Sequence, residues 1–338
     1  MITKNQLNKQ SLANEMQEIA KRIAVNDVKD AIYFPKYFQI ETTRLCNARC
    51  PFCAIDQWDK TTRFMSDELF SKIVQEMKEY ADWIEFIAVQ RAGEPLLDKK
   101  IAERVKAFKD IGIKRVSMST NASLLNDAKA MKLIEAGIDE VMFSIDSVDK
   151  DPYEKMRVGL KYETVINNIK NFFRLRDKHK PKIIIRIRGV SFYDINLEQE
   201  RKALQRWEEF WDEYKKPHDR IYMKNAHNWG NQKLWEGQKD KMEQVFEVFH
   251  PCVLPWSTMH VTAMGVVPLC PQDYDATSNI GDINNQTIAD VWRGKSWNRI
   301  RNLHATGRRN EIKLCQGCRL FDKDFHLEDW QQKYLYDS

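Results

Sequence analysis

Leu45-Cys46-Asn47-Ala48-Arg49-Cys50-Pro51-Phe52-Cys53 is the stretch on which the reading of this chain turns. Its cysteines are spaced C-x3-C-x2-C. Three thiolates so placed can hold three irons of a [4Fe–4S] cube and leave the fourth iron without a protein ligand. A cluster held by four cysteines mainly carries electrons, whereas one with an open iron can also bind and activate a substrate. The spacing therefore points to chemistry. Structural zinc pairs one C-x2-C with a second or with histidines, and no histidine lies near Cys46–Cys53. Disulfides fit poorly with an odd total of seven cysteines and no apolar N-terminal signal segment.

Outward from that run the chain alternates strands and helices. Tyr37–Glu41 reads as a strand that delivers Cys46 into the following loop. Further strands are expected over Ile84–Gln90, Arg115–Thr120, Glu140–Asp146, Lys182–Arg188 and Arg220–Lys224. Helices are expected over Ser66–Tyr80, Ile101–Asp110, Leu124–Ala136, Tyr162–Lys178 and Leu197–Tyr214. The run Ile183-Ile184-Ile185 has the character of a strand buried on both faces. Such β-then-α units predict an α/β fold, a parallel sheet closed partway into a barrel. Working residues then sit at the C-terminal ends of the strands, where the cysteine loop lies.

Past residue 225 this rhythm stops. The expected organisation is a helical extension over 1–36, a barrel over 37–225 and a small domain over 226–338. The last holds Cys252, Cys270, Cys315 and Cys318. Met259–Val261 and Val266–Leu269 read as a hairpin with Gly265 at its turn, which would bring Cys252 and Cys270 together. Cys315-Gln316-Gly317-Cys318 reads as a metal-binding knuckle, with a strand and a helix before it between Ile280 and Trp292.

Composition narrows the partners. The chain has 338 residues, 43% hydrophobic and 30% charged. No stretch approaches the ~20 apolar residues of a membrane span. The net charge of +5 is dispersed, and Arg308-Arg309 reads as solvated surface, so nucleic acid is disfavoured as a partner. Thiolate ligands call for a reducing compartment, the cytoplasm.

The Cys46–Cys53 run, with aromatic Phe52 before its third cysteine, resembles the signature of the radical S-adenosylmethionine (SAM) superfamily. The resemblance covers about residues 37–225 and implies a partial (β/α)6 TIM-like barrel. It also implies SAM chelated to the open iron and cleaved reductively to a 5′-deoxyadenosyl radical, which takes a hydrogen atom from substrate. The hard chemistry is then the cofactor's. An external electron donor such as flavodoxin or ferredoxin is implied. Gly93-Glu94-Pro95 resembles the family's GEP motif, which receives the SAM amino group. Ser119-Thr120-Asn121 ends the third strand; Ser144 and Asp146 end the fourth, where the family contacts the ribose. Arg157 resembles an arginine that pairs the SAM carboxylate, an apt use of a guanidinium.

The second cysteine set is similar to the SPASM/twitch extension of these enzymes. Four cysteines match the shorter twitch form with one auxiliary [4Fe–4S] cluster, making two clusters in all. A zinc site from the same four is the plainer alternative. Three plus four uses every cysteine. The auxiliary cluster can then be fully protein-ligated, as an electron conduit is. No thiol remains to return a hydrogen atom to a substrate radical, which disfavours a thiol-dependent epimerase, with Tyr274 as an alternative donor. Oxidation is the economical scheme, and the cysteine layout resembles twitch-type alcohol dehydrogenases of aminocyclitol biosynthesis. Asp273 and Asp275 are candidate bases beside Cys270. His227 and His260 are candidate substrate ligands. The expected substrate is a sugar- or aminocyclitol-like small molecule, oxidised to a ketone. The alternatives are a SPASM-type enzyme that modifies ribosomal peptides and an epimerase with a non-cysteine hydrogen donor. A plain electron carrier would leave the open-iron motif unexplained.

Overall fold

A computed structural model of the chain describes residues 9–55, 61, 63–191, 198–225 and 249–318. Cα packing divides the chain into two compact units. One comprises Met1–Gln39, Glu68–Ile84 and Asn228–Ser338; the other comprises Ile40–Asp67 and Glu85–His227. The three-way division at residues 36 and 225 stands beside this as a proposal about domain boundaries along the chain.

In chain order the first elements are α1 (Lys9–Arg22), β1 (Tyr37–Ile40), α2 (Asp67–Lys78), β2 (Phe86–Ala88), α3 (Ile101–Asp110), β3 (Val116–Thr120) and α4 (Asp127–Glu135). Then come β4 (Glu140–Ser144), α5 (Lys150–Met156), α6 (Tyr162–His179), β5 (Ile184–Ser191), α7 (Glu198–Asp212) and β6 (Arg220–Asn225). The C-terminal part adds α8 (Leu254–Ser257), β7 (Thr258–Val261), β8 (Val266–Val267), β9 (Gly281–Asp282), α9 (Ile288–Arg293) and α10 (Lys295–Ala305).

β2 to β6 pair in parallel and in sequence order, each joined to the next by a helical crossover. With β1, which enters this unit at Ile40, they make the partial (β/α)6 barrel of an α/β fold. One face of the strands is apolar: Val116, Met118, Val141, Phe143, Ile185 and Ile187 are all buried. On this face Phe172 of α6 meets Phe143 edge-on at 5.4 Å. β5 corrects one expectation. It starts at Ile184 and alternates, with Ile185 and Ile187 on the helix side and Arg186 and Arg188 between them. Arg186 stands opposite Met142, and its Nε lies 3.0 Å from Oε1 of Glu140, the diagonal neighbour two positions earlier in β4. Opposed charges on facing strands thus let the other face of the sheet be polar. α5 was not anticipated; it is a short helix ahead of the Arg157 turn.

The other compact unit has its own core. Trp292 and Trp297 are fully buried, with rings 5.3 Å apart. Arg301 lies 4.4 Å over Trp292 and donates to the carbonyls of Pro255 and Trp292. Trp292 Nε1 donates to Ala31 O at 2.9 Å, and the Ile288 N–H donates to Glu76 of α2. A capping box between Thr287 and Asp290 starts α9. α10 escaped the sequence reading because Gly294, in extended conformation, both ends α9 and begins α10.

The expected hairpin is corrected as well. Gly265 does sit at a turn, with φ +87 and its N–H on Thr262 O. The ladder runs elsewhere: β8 pairs antiparallel with β9, Val266 opposite Asp282 and Val267 opposite Gly281. The Ile280 and Ile283 N–H groups donate to the carbonyls of Val267 and Gly265, and on its other edge, among the described residues, β8 keeps only the backbone bond from the Thr262 N–H to Val266 O across the turn. Among the described residues no helix is long and apolar enough to cross a membrane.

Candidate active site

The loop after β1 carries Cys46, Cys50 and Cys53, and the ends of the neighbouring strands grip it. The Glu94 N–H donates to Leu45 O at 2.7 Å and the Arg49 N–H to Val158 O at 2.8 Å. Asn121 Nδ2 donates to Asn47 Oδ1 at 3.0 Å, Asn47 Nδ2 to Ser123 Oγ at 2.8 Å, and Ser123 back to Asn121. Asn121 therefore meets the cysteine loop directly. At Gly93 a Cβ would lie 2.3 Å from Thr43 O and 2.6 Å from Leu45 O, both backbone atoms. Only glycine permits that approach, so Gly93→Ala is expected to destabilise the chain by about 1–3 kcal/mol. It should also reduce the iron retained after reconstitution. Thermal unfolding and iron analysis check this; wild-type values in both would refute it.

Glu94 is buried and its carboxylate is heavily engaged. Oε1 accepts from Thr120 Oγ1 at 2.6 Å and from the Leu96 N–H at 3.1 Å, and Oε2 accepts from the Asn121 N–H at 2.8 Å. Burial pushes its pKa up, against the pull of those donors. Pro95 opens the 3₁₀ turn Pro95–Leu97 that Glu94 caps. Thr120, the last residue of β3 and the neighbour of Asn121, supplies the shortest of these bonds, and it ends β3 as Ser144 ends β4. Ser144 is buried, opposite Arg188 in register.

Arg157 makes a fork with Asp146, Nε to Oδ2 at 2.6 Å and Nη2 to Oδ1 at 2.9 Å. Its Nη1 points at Cys50 Sγ from 3.9 Å, and its guanidinium lies 5.0 Å from the Phe52 ring centroid. Burial works against the cation, and Asp146 and Cys50 outweigh it, so the Arg157 pKa is raised. Asp146 also accepts from the Val190 N–H.

The residues fit a thiolate-held cluster with a polar ligand beside it. Burial pushes the Cys46 thiol up to about 12, with the Ala48 N–H easing the shift and Glu94, Cys50 and Cys53 adding to it. The three thiols are thus close enough to act on one another, and metal binding would have to take their protons. Around the strand ends, the buried Thr42 Oγ1, Gln90 Oε1 and Arg188 Nε have no hydrogen-bond partner among the described residues. Buried polar atoms are ordinarily satisfied, and a zwitterionic nucleoside such as SAM offers such partners.

The second cysteine set lies in the other unit. Burial pushes the Cys270 thiol well up, and Cys315 and Cys318 add to it. Burial also pushes the Cys315 thiol up to about 12, where Arg309 opposes and Cys252 and Cys318 reinforce the rise. All four thiols therefore belong to one connected group. Arg309 donates to the carbonyls of His250 and Cys318, and His304 lies between Cys252 and Cys315. All seven cysteines are free thiols. Among the described residues no three His, Cys, Asp or Glu side chains close on a single-ion position; a cubane instead takes its thiolates at separate irons.

Asp273 is fully buried, and its carboxylate accepts from the N–H and hydroxyl groups of both Thr277 and Ser278. Asp275 is partly exposed. His260 is buried with Nδ1 3.0 Å from Gln39 Oε1, and His227 lies outside the described residues.

Comparison with known proteins bears on this arrangement. The family model of the radical SAM superfamily matches residues 40–192, and that of the SPASM iron–sulfur cluster-binding domain matches 252–319. The chain belongs to the radical SAM superfamily, in its SPASM/twitch subclass. SAM and iron–sulfur clusters are its cofactors, and enzymes of this superfamily need an electron donor. A probable GTP 3′,8-cyclase of Sulfurisphaera tokodaii is 33% identical over 132 residues, 39% of this chain and 41% of that protein. The chain thus spans about two-fifths of the curated relatives it matches. Among solved structures, BtrN in complex with AdoMet and 2-DOIA is similar with a TM-score of 0.54 and 16% identity, covering 85% of this chain and 93% of BtrN. Streptococcus suis SuiB bound to precursor peptide SuiA has a TM-score of 0.65 and 15% identity, covering 94% and 80%. At such identities the likeness is one of fold.

Proposed function

We propose that this radical SAM enzyme oxidises a hydroxyl-bearing carbon of a sugar- or aminocyclitol-like small molecule to a ketone. The observation that carries the reading is the cysteine inventory: seven thiols, three in the barrel loop and four in the C-terminal unit, with none left over. When bound, SAM and the two clusters supply a hydrogen-abstracting organic radical and a one-electron sink. Cys46, Cys50 and Cys53 would hold the first cluster, and Cys252, Cys270, Cys315 and Cys318 the auxiliary one. Gly93, Glu94, Pro95, Asn121, Ser144 and Arg157 would shape the SAM pocket. What favours a positioning role for Glu94 and Arg157 is that each is already engaged, Glu94 by three donors and Arg157 by Asp146.

The protein's own contribution to oxidation is removal of the hydroxyl proton. What supports Asp275 over Asp273 for that role is access: Asp273 is buried with four donors on its carboxylate, holding the 273–278 turn, while Asp275 is partly exposed. Flavodoxin or ferredoxin is the proposed electron donor, and a reducing cytoplasm the proposed setting.

The second reading, peptide modification, draws on the likeness to peptide-bound SuiB. One experiment separates the two: 5′-deoxyadenosine formation by the anaerobically reconstituted, reduced protein, with small-molecule or peptide fractions of a cell extract added in turn. Stimulation by the small-molecule fraction is expected, and Asp275→Asn should then cut product by about 10²-fold or more while leaving SAM binding intact. Stimulation by peptides alone would overturn the small-molecule reading, and an unchanged product yield would remove Asp275 as the base.

A further inference from the structure

We propose that His304 is the positioning residue of the auxiliary cluster: its Nε2–H donates to the sulfur of Cys315 and raises the potential at which that cluster accepts an electron. This rests on the reading of Cys252, Cys270, Cys315 and Cys318 as ligands. The geometry fixes the state of the ring. The backbone N–H of Cys252 can only donate, and it lies 3.1 Å from His304 Nδ1. Nδ1 must therefore offer a lone pair. A neutral imidazole with an accepting Nδ1 carries its proton on Nε2, and Nε2 stands 3.7 Å from Cys315 Sγ.

The ring has little freedom to do otherwise. His304 is buried in the last turn of α10, with the Trp256 ring edge-on at 6.3 Å. One side chain thus spans two cysteines that lie far apart in sequence. It caps the backbone at Cys252 and aims a donor at Cys315. An N–H bond to a cluster sulfur stabilises the extra negative charge of the reduced state, and so raises the reduction potential. For a cluster that must take an electron from a substrate radical, that is the useful direction.

The test uses the full chain carrying Cys46→Ala, Cys50→Ala and Cys53→Ala, so that only the C-terminal cluster remains. Iron is measured, and the potential is read by mediated titration followed by electron paramagnetic resonance. His304→Asn keeps an acceptor near Nδ1 and is too short to reach the sulfur. His304→Gln can place an N–H near Nε2. The parent should hold about four irons. With His304→Asn the reduction equilibrium should fall about tenfold, about 59 mV for one electron, and His304→Gln should restore it. If the parent holds no iron, the auxiliary-cluster reading falls, and this inference with it. Iron retained with an unchanged potential in His304→Asn would overturn the inference alone. Should His304→Asn lose its iron, His304→Gln decides: iron retained at the parent potential supports the donor role, and iron lost in both shows a merely structural residue.

Discussion

Cys50→Ala is expected to abolish 5′-deoxyadenosine formation and to lower the iron of the reconstituted chain from about eight to about four atoms. The effect should exceed that of any neighbouring substitution because of what surrounds this sulfur. Cys50 is buried, Arg157 Nη1 is aimed at it, and the Arg157 fork on Asp146 holds that aim. No other cysteine lies within the barrel loop to replace it, since Cys46 and Cys53 are already in the set. Removing the thiol leaves two thiolates for a cube, and an Arg157 Nη1 without its sulfur partner. The overall fold should survive, because the loop is held by backbone bonds at Leu45 and Arg49 and by the Asn121–Asn47 side-chain bond, none of which passes through Cys50. Iron analysis together with product chromatography reads the result. Eight irons retained, or cleavage at the wild-type rate, would sink the ligand assignment.

How much of this was legible in the sequence varies with the physics of each part. The barrel was readable because its signals are local: largely apolar strands such as Glu140–Ser144, amphipathic helices such as Tyr162–His179, and cysteines just past a strand end. Charge on the sheet was harder to see. Arg186 sits among isoleucines, and only the pairing of β4 with β5 brings Glu140, two positions from its register partner Met142, within reach of it. The same limit applies to Asp146 and Arg157, eleven residues apart, whose pairing depends on how α5 turns the chain back. In the C-terminal unit, Gly265 announced its turn through its conformational need. The ladder partner of β8 depended instead on Ile280 and Ile283 reaching the carbonyls of Val267 and Gly265 from further along the chain. His304 offered no signal at all, because it became visible as a cysteine neighbour only when α10 placed it between Cys252 and Cys315.

Cys315→Ala should separate SAM cleavage from product formation. In the proposed scheme the barrel loop suffices for cleavage, so 5′-deoxyadenosine should still form, uncoupled from oxidation. Product should fall by more than about 100-fold, beyond the 10–100-fold typical of losing an outer-sphere partner. Cys315 is the right member of its set to remove. Its thiol is buried and acted on by Cys252, Cys318 and Arg309, and His304 Nε2 approaches its sulfur. Alanine there takes away a ligand and the acceptor of that N–H together. The remaining three thiolates would leave a damaged or absent cluster, so a substrate radical would lack its electron acceptor and would recover a hydrogen atom or decay. Measuring 5′-deoxyadenosine and ketone in the same reaction gives the ratio directly, wild type near one to one and Cys315→Ala strongly skewed toward 5′-deoxyadenosine. Full, coupled turnover by Cys315→Ala would rule out the C-terminal cysteines as the electron conduit. Loss of cleavage as well would show that the two cysteine sets do not act independently.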